Sequence, residues 1–330
     1  MHHRLASASA RRQGAAMTRS ASSRTRGATP TWRDLEVDGS TVRLMEAGDP
    51  DADPLLFLHG WGLSPRCYAD GITRLTAAGV RVIAPCLPGF GGSDGPALRG
   101  IDLPAYAQRI GRLLDVLELE HPVFVAGHSF GGGVALQLAT DRPERVRSLT
   151  LLNSVGGAPG QGRALTDTSW LRWATRAAGE LSPGDLVRSA PGMLRAFVPN
   201  VLRKPLTLAL TARVALTASL ADQAESLVAA GVPVLMVWGD DDRIVAQGTL
   251  AKVVGSLPTE VVHGRHGWLL TQPEEFSALL RNALVVHAML ERRQRGQAVV
   301  LPVGTSLADV IPVERRSVAR PTSLPRPEAS

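Results

Sequence analysis

Cysteine is scarce in this sequence, which holds two, Cys67 and Cys86, among 330 residues. Both fall in or beside segments that we expect to be buried, and two such thiols resemble neither a disulfide framework nor a metal-ligand cluster. The eight histidines do not form the His-Glu-x-x-His pattern of a metal site. We therefore expect no metal, no other cofactor and a reducing, cytoplasmic setting.

Long hydrophobic runs are also absent, although 44% of the residues are hydrophobic. No run approaches the roughly 18 to 20 residues of a membrane-spanning helix, and the N-terminus lacks the apolar centre of a secretory signal. We expect a globular protein without a transmembrane segment. It is long enough to bury one large core, or a core with a smaller accessory domain.

Acidic residues are missing from residues 1–30, which contain six arginines and so account for the whole net charge of +6. The rest of the chain is balanced, so its folded part has no excess of basic charge to attract nucleic acid. We expect residues 1–30 to be a disordered basic arm. Residues 296–330, with five prolines and no periodic apolar face, are expected to be a disordered tail.

Apolar segments typical of strands alternate with helical segments along most of the chain. The first two, residues 35–37 and 42–47, flank the turn-forming Asp38-Gly39-Ser40 and predict an antiparallel hairpin. Later apolar segments are predicted to be buried strands, at residues 55–58, 80–84, 148–152, 232–238 and 260–262 and at the start of residues 122–139. Helices between such strands indicate an α/β fold with a mostly parallel sheet, flanked by helices on both faces.

The alternation breaks at residues 154–230, which read as helical throughout. Helix starts are predicted at Asp167, at Ser182-Pro183 and at Pro205. We expect an inserted helical cap over the carboxyl edge of the sheet, between two parts of a core at residues 31–153 and 231–295. Several large apolar side chains of this segment could pack the cap or line a pocket: Trp170, Trp173, Met193 and Phe197.

Residues 122–139 combine an apolar strand, an abrupt glycine-rich turn and the start of a helix. They include Gly127-His128-Ser129-Phe130-Gly131, which fits the G-x-S-x-G nucleophile elbow, a strained turn that lifts the serine hydroxyl out of the sheet. Two alternatives are the cofactor turn of short-chain dehydrogenases and a purely structural glycine turn. The dehydrogenase interpretation requires a Tyr-x-x-x-Lys pair downstream, whereas both tyrosines of the chain lie upstream.

A serine nucleophile needs a base that accepts its proton and an acid that orients the base, and elbow-type enzymes place them in the order serine, acid, histidine. Both follow here, each just past a predicted strand. The candidate acids are Asp240, Asp241 and Asp242, and the candidate bases are His263 and His266. His59 and His128 are expected to brace loops.

Five ordered motifs resemble those of the α/β-hydrolase superfamily, in particular its capped esterase-like members, over residues 35–290. They are His-Gly-Trp-Gly, Leu-Pro-Gly-Phe-Gly-Gly-Ser-Asp, Gly-His-Ser-Phe-Gly-Gly, Trp-Gly-x-x-Asp and a histidine seven residues before Pro-Glu-Glu-Phe. The resemblance implies Asp242 as the acid, His266 as the base, and the backbone N–H groups of Trp61 and Phe130 as the oxyanion hole. Relatives with an acid after the preceding strand differ, because Asn153 and Ser154 stand there.

The resemblance implies a serine hydrolase that cleaves an ester of a small to medium apolar substrate through an acyl-enzyme. Serine at the elbow disfavours epoxide hydrolase and haloalkane dehalogenase chemistry, which uses an aspartate there. Two alternatives share the motifs: a hydrolase of carbon–carbon bonds in diketone-like substrates, and a weakly hydrolytic relative that binds a ligand or transfers acyl groups.

Overall fold

The structure, a computed structural model, describes residues 29–157, 183–245 and 257–294. Eight strands in these residues form one sheet in the order β1-β2-β4-β3-β5-β6-β7-β8. Their bounds are β1 Thr31–Val37, β2 Ser40–Ala47, β3 Pro54–Leu58, β4 Arg81–Pro85, β5 Val123–His128, β6 Val146–Leu152, β7 Val234–Gly239 and β8 Thr259–Val262.

The predicted hairpin opens the sheet. Strands β1 and β2 pair antiparallel, with Val37 opposite Ser40 across a turn in which Asp38 and Gly39 both have positive φ. Strand β2 also pairs antiparallel with β4, whereas every pairing from β4 to β8 is parallel. The expectation of a mostly parallel α/β sheet is confirmed.

Eight α-helices connect or cover these strands in the described residues. They are α1 Ala69–Ala77, α2 Leu103–Val116, α3 Phe130–Asp141, α4 Pro183–Arg203, α5 Pro205–Thr217, α6 Ala221–Ala229, α7 Trp268–Thr271 and α8 Pro273–Gln294. Short 3-10 turns occupy Pro65–Tyr68 and Pro143–Arg145. None of the helices in this part of the chain has the length and apolar character needed to cross a membrane.

Proline marks the start of several helices, because its missing N–H costs nothing in the first turn. Helices α4 and α5 both begin at a proline, Pro183 and Pro205, where the sequence predicted helix starts. At α2 the N-cap Asp102 accepts a hydrogen bond from Ala105 N. The predicted helix at residues 250–254, the two terminal segments, Asp167, Trp170 and Trp173 all lie outside the described residues.

The sheet separates two apolar clusters, as a sheet covered on both faces requires. One cluster joins Leu56, Val125 and Leu149 of the strands to α2, α3 and α6. The other joins Leu55 and Phe57 to α1 and α8. Every residue of β5 is buried, so the strand that leads to Ser129 is held rigidly at the centre of the sheet.

Helix α6 lies inside the range predicted for the cap. Its Ala224 and Leu227 are buried in the cluster that contains α2 and α3, so this helix packs with those that flank the sheet. Helices α4 and α5 instead contact the loops at the carboxyl end of the sheet, through bonds such as Asn200 Nδ2 to Gly62 O at 3.1 Å. The division of the chain into core and cap remains a prediction.

Candidate active site

The serine of the predicted elbow sits between β5 and α3 with φ 53° and ψ −116°, a conformation that L-residues rarely adopt. Its N–H donates to Leu152 O at 2.9 Å, which ties the turn to the neighbouring strand. A Cβ on Gly127 would collide with Gly131 O, and a Cβ on Gly131 with Leu58 O. The two glycines therefore provide the clearance that this sharp turn requires.

A continuous hydrogen-bonded chain runs from Ser129 through His266 to Asp242. The Ser129 hydroxyl lies 2.9 Å from His266 Nε2, and His266 Nδ1 lies 2.8 Å from Asp242 Oδ2. Each of the three residues is 8% exposed. Because a carboxylate only accepts, Nδ1 carries the proton and Nε2 is left to accept from the serine. Sequence motifs pointed to these three residues, and the fold brings their side chains into contact.

The Asp242 carboxylate is held by four hydrogen bonds. His266 Nδ1 and Asn153 Nδ2 donate to Oδ2, at 2.8 and 2.5 Å, and the N–H groups of Ile244 and Val245 donate to Oδ1, at 2.9 and 3.0 Å. Burial by itself raises the pKa of this carboxyl. The charge of His266 and the donated hydrogen bonds outweigh burial and leave the pKa of Asp242 below its usual value, so that the group stays ionised.

The two neighbouring aspartates have other partners. Asp240 accepts from Gly264 N at 2.9 Å and lies 3.0 Å from Nδ1 of the exposed His263. Asp241 pairs with the guanidinium groups of Arg243 and Arg265 at the surface. Consecutive carboxylates thus diverge, and among the three predicted candidates Asp242 is the one that reaches His266.

Asn153 is a participant to which sequence analysis gave no role. It follows β6 in a left-handed conformation, with φ 46°, and its Oδ1 accepts from the indole of Trp268 at 2.8 Å. That bond fixes which way the amide points, so Nδ2 faces Asp242. The position of Asn153 was the sequence signal for this role, because it is a polar residue directly after the buried strand β6. Strand β6 neighbours β7, the strand that precedes Asp242.

A second buried network surrounds the elbow. His128 Nε2 lies 3.0 Å from the carbonyl oxygen of His266, so Nε2 carries the proton and Nδ1 accepts from the Tyr68 hydroxyl at 2.7 Å. The Tyr68 oxygen in turn accepts from Gly60 N at 3.1 Å. Burial lowers the pKa of His128 to about 3, which keeps the ring neutral. Sequence analysis did not identify the role of Tyr68.

His59 performs a similar bracing task in the neighbouring loop. Its Nδ1 donates to Gly60 O at 2.8 Å, and its Nε2 accepts from Leu87 N at 2.9 Å. Burial lowers the pKa of His59 to about 4. His59 and His128 therefore hold loops together, as the sequence analysis expected.

The two candidate oxyanion donors belong to the helix that follows Ser129 and to a loop that borders the elbow. Phe130 is the first residue of α3, so its N–H is one of those that a helix leaves without an intrahelical acceptor. The loop of Trp61 borders the elbow, because Gly131 packs against the backbone oxygens of Leu58 and His59. The side chain of Phe130 is fully buried and stacks edge-on against Tyr106.

Trp61 also connects its loop to the helices above. Its indole Nε1 donates to Leu208 O at 3.1 Å and to Thr211 Oγ1 at 2.9 Å, and its ring lies 5.6 Å from that of Phe197. Of the apolar side chains expected in the cap, Met193 packs against the core and Phe197 against Trp61. Trp268 is fully buried in the core.

Metal-ligating side chains form no cluster among the described residues. No group of three or more His, Cys, Asp or Glu side chains in this part of the chain could hold a metal ion. Cys67 and Cys86 are free thiols, and burial raises the pKa of both. The arrangement can activate a hydroxyl by proton transfer to an imidazole.

A mostly parallel sheet with helices on both faces, whose central strand ends in a strained serine bonded to a histidine, is the architecture of the α/β-hydrolase fold. The chain belongs to the alpha/beta hydrolase family, whose model matches residues 55–279. It is therefore an enzyme of that superfamily.

Three relatives illustrate the range of similar proteins. The chain is 31% identical over 268 residues, 78% of this chain and 70% of the relative, to the dihydrolipoyllysine-residue acetyltransferase component of the acetoin cleaving system of Cupriavidus necator. It is 29% identical over 305 residues, 84% of this chain and 88% of the relative, to the pimeloyl-[acyl-carrier protein] methyl ester esterase of Neisseria meningitidis. An esterase structure from Exiguobacterium antarcticum superposes with a TM-score of 0.63 at 21% identity, covering 77% of this chain and 99% of that one.

Proposed function

We propose that this protein is a serine hydrolase that cleaves carboxylic esters through an acyl-enzyme. Ser129 is the nucleophile, His266 the general base and Asp242 the group that orients His266. The observation that carries the proposal is the hydrogen-bonded chain in which His266 contacts Ser129 at 2.9 Å on one side and Asp242 at 2.8 Å on the other. The strained backbone of Ser129 at the tip of the elbow is the conformation in which this motif presents its hydroxyl for attack.

In the first half-reaction Ser129 Oγ attacks the acyl carbon while His266 Nε2 takes the hydroxyl proton. The N–H groups of Trp61 and Phe130 stabilise the oxyanion, each contributing roughly a hundred- to thousandfold in rate. The tetrahedral intermediate collapses, and His266 returns the proton to the departing alcohol. Water then attacks the acyl-enzyme by the same route, which releases the acid and restores Ser129.

Asp242 has two tasks in this cycle. It holds the tautomer in which Nε2 is free to accept, and its charge stabilises the imidazolium that forms during each attack. The depressed pKa of Asp242 supports both tasks, because the carboxylate remains ionised well into the acid range. Asn153, Ile244 and Val245 supply the hydrogen bonds that keep it in place.

The substrate class we propose is a small to medium apolar ester. Trp61, Phe197 and Leu208 come together where the helices expected to form the cap meet the elbow side of the sheet. An apolar pocket gains about 0.8 kcal/mol per buried methylene. The ratio kcat/KM should therefore rise from acetyl to medium-length acyl p-nitrophenyl esters and fall once the pocket is full, and charged acyl groups should be poor substrates.

A fluorophosphonate probe tests the nucleophile. We expect one covalent adduct, on the peptide that contains Ser129, and loss of both adduct and turnover in Ser129→Ala. Ser154→Ala is the matched control, since Ser154 is a buried serine whose hydroxyl donates to Val155 O and not to a base. An adduct on another peptide, or an active Ser129→Ala enzyme, would falsify the assignment.

Activity measurements on the same enzyme preparation distinguish the alternative functions that share this fold. Turnover of a vinylogous diketone in excess of any p-nitrophenyl ester would identify a carbon–carbon bond hydrolase. Rapid labelling without measurable turnover of either class would identify a protein that binds or transfers acyl groups. A preference for acetate or for a dicarboxylate half-ester would contradict the apolar acyl pocket.

A further inference from the structure

The outward face of α4 and the start of α5 form an apolar stripe. It consists of Leu194, Val198, Val201, Leu202 and Leu206, which are 57, 43, 40, 76 and 53% exposed. The four α4 members follow the spacing of one helix face, and Leu206 continues it across the junction at Lys204. Contiguous exposed apolar surface of this kind marks an interaction site.

Helix α4 already has a buried inner face. Ala196 and Asn200 are buried there, and Phe197 packs on Trp61. The stripe lies on the opposite side of the helix, so it does not contribute to the packing that attaches α4 to the sheet. A surface helix needs a single apolar face for that purpose, and the second one calls for a different partner.

The charged residues of the segment that carries the stripe all have one sign. The sequence contains no acidic residue from 186 to 221, while Arg195, Arg203, Lys204 and Arg213 fall within that stretch. Arg195, Arg203 and Arg213 are exposed, and Lys204 donates to Ser93 O at 2.9 Å. The segment that carries the stripe therefore exposes three arginines and contains no acidic residue between residues 186 and 221.

We propose that this stripe binds an anionic lipid surface, with its leucine and valine side chains inserted among acyl chains and its arginines against phosphate groups. An apolar face with cations at its border is the chemistry that a lipid interface selects. A second copy of the chain would fit worse, because symmetric pairing of two stripes brings arginines of the same sign together.

Lipid binding goes beyond the proposed ester hydrolysis and is independent of Ser129. The stripe lies on the same helices that contact the Trp61 loop, so a docked protein presents the elbow side of its sheet to the membrane. Ser129→Ala should therefore bind vesicles as the wild type does. Failure of the serine chemistry and failure of lipid binding would be seen in separate experiments.

Flotation with phosphatidylcholine vesicles, with and without phosphatidylglycerol, tests the proposal on the full-length protein. We expect binding to the anionic vesicles that weakens as salt is raised. Leu194→Ser with Leu202→Ser should lower the partition coefficient about tenfold or more, because two inserted side chains are lost. Arg195→Gln with Arg203→Gln should lower it about tenfold at low salt and little at high salt.

Val116→Ser is the matched control. Val116 is 46% exposed and is the last residue of α2. The first residue of α2 follows a loop at the carboxyl edge of the sheet, so Val116 lies at the end of the helix away from that edge. This variant should bind as the wild type does, and thermal melting should show that every variant is folded. Absence of vesicle binding, or equal binding by Leu194→Ser/Leu202→Ser, would overturn the proposal. A wild-type dimer in light scattering that becomes a monomer in this double variant would also overturn the proposal, since the stripe would then be a contact between two copies of the chain.

Discussion

Tyr68 donates its phenolic hydrogen to His128 Nδ1 across 2.7 Å, in a pair of side chains that is almost completely buried. The same phenolic oxygen accepts from Gly60 N, and the other nitrogen of His128 donates to the His266 carbonyl. One tyrosine thus links the loop of a proposed oxyanion donor to the loop of the proposed base. The link consists of neutral groups only, so it holds its geometry across the working pH range.

Tyr68→Phe should lower kcat about tenfold and leave KM nearly unchanged. The variant keeps the ring but leaves Gly60 N and His128 Nδ1 without the hydroxyl, at a cost of about 1 to 3 kcal/mol for each unpaired buried group. Both loops should then sample geometries in which the oxyanion donors and His266 are misplaced. Steady-state kinetics with a p-nitrophenyl ester measures the split between kcat and KM.

Tyr106→Phe is the control for this experiment. Tyr106 is as buried as Tyr68, but its hydroxyl donates to Pro88 O and does not join the His128 network. We expect a loss of thermal stability in both variants, smaller in Tyr106→Phe because it leaves one buried group unpaired, and a selective fall of kcat in Tyr68→Phe. Equal kcat values in the two variants would contradict this prediction and would show that Tyr68 contributes to packing and not to the geometry of the site.

Replacement of each loop aspartate by asparagine should separate their roles. Asp242→Asn should lower kcat by roughly a thousand- to ten-thousandfold, because the amide favours the wrong imidazole tautomer. Asp240→Asn and Asp241→Asn should stay within about threefold of the wild type, since their partners lie at the surface, where solvent screens the interaction. A severe loss of kcat in Asp240→Asn or Asp241→Asn would instead assign the role of the orienting acid to that residue.

Asn153→Asp should partly rescue Asp242→Asn. The amide of Asn153 meets Oδ2 of Asp242, the atom that His266 contacts, so the two side chains share one site. The exchange keeps a single negative charge there, and Trp268 can still donate to residue 153. We expect the double variant to exceed Asp242→Asn at least tenfold in kcat, and a folded double variant with no gain would show that residue 153 cannot orient His266.

Acid should destabilise the fold through its buried neutral histidines. His287 of α8 is 4% exposed, its Nδ1 has no partner among the described residues, and burial lowers its pKa from 6.5 to about 4. Between pH 6.5 and 4 the unfolded chain therefore binds a proton that the folded chain does not. The free energy of unfolding should fall with decreasing pH in this window, by up to about 1.4 kcal/mol per pH unit from this one group.

His287→Leu should make stability less dependent on pH within that window. Urea denaturation at pH 7, 6, 5 and 4 measures the slope, and the exposed His121 replaced by leucine is the control. We expect a shallower slope in His287→Leu and an unchanged slope in His121→Leu. If the slopes of His287→Leu and the wild type coincide, His287 is protonated in the folded protein.

Most strands could be predicted because parallel strands covered on both faces are continuous apolar runs. Leu55–Leu58 is an example, and β3 extends the prediction by one residue. The packing of α6 could not be predicted, because a short alanine-rich helix suits a cap and a sheet face equally well. Contacts with α3, and not the helix's own sequence, place Ala224 and Leu227 in the core.

The site shows the same division between local and long-range information. The elbow, the three aspartates and the two histidines are local motifs that follow strand ends, and the sequence carries them directly. Which aspartate faces His266 depends on how the backbone turns after β7. The three side chains alone do not distinguish the candidates, and Asp242 was singled out by the resemblance of Trp-Gly-x-x-Asp to a family motif. The bond between Tyr68 and His128 joins residues sixty positions apart, and no motif contains both.

The indole of Trp61 couples the position of its loop to the position of α5 above the sheet. It bonds to Leu208 O and Thr211 Oγ1 of α5, while the N–H of the same residue is proposed to stabilise the oxyanion. Displacement of α5 to admit a substrate would pull on the residue that carries this donor, and return of α5 would set it back in place. We therefore expect the proposed oxyanion site beside Ser129 to be complete only while α5 occupies this position against the Trp61 loop.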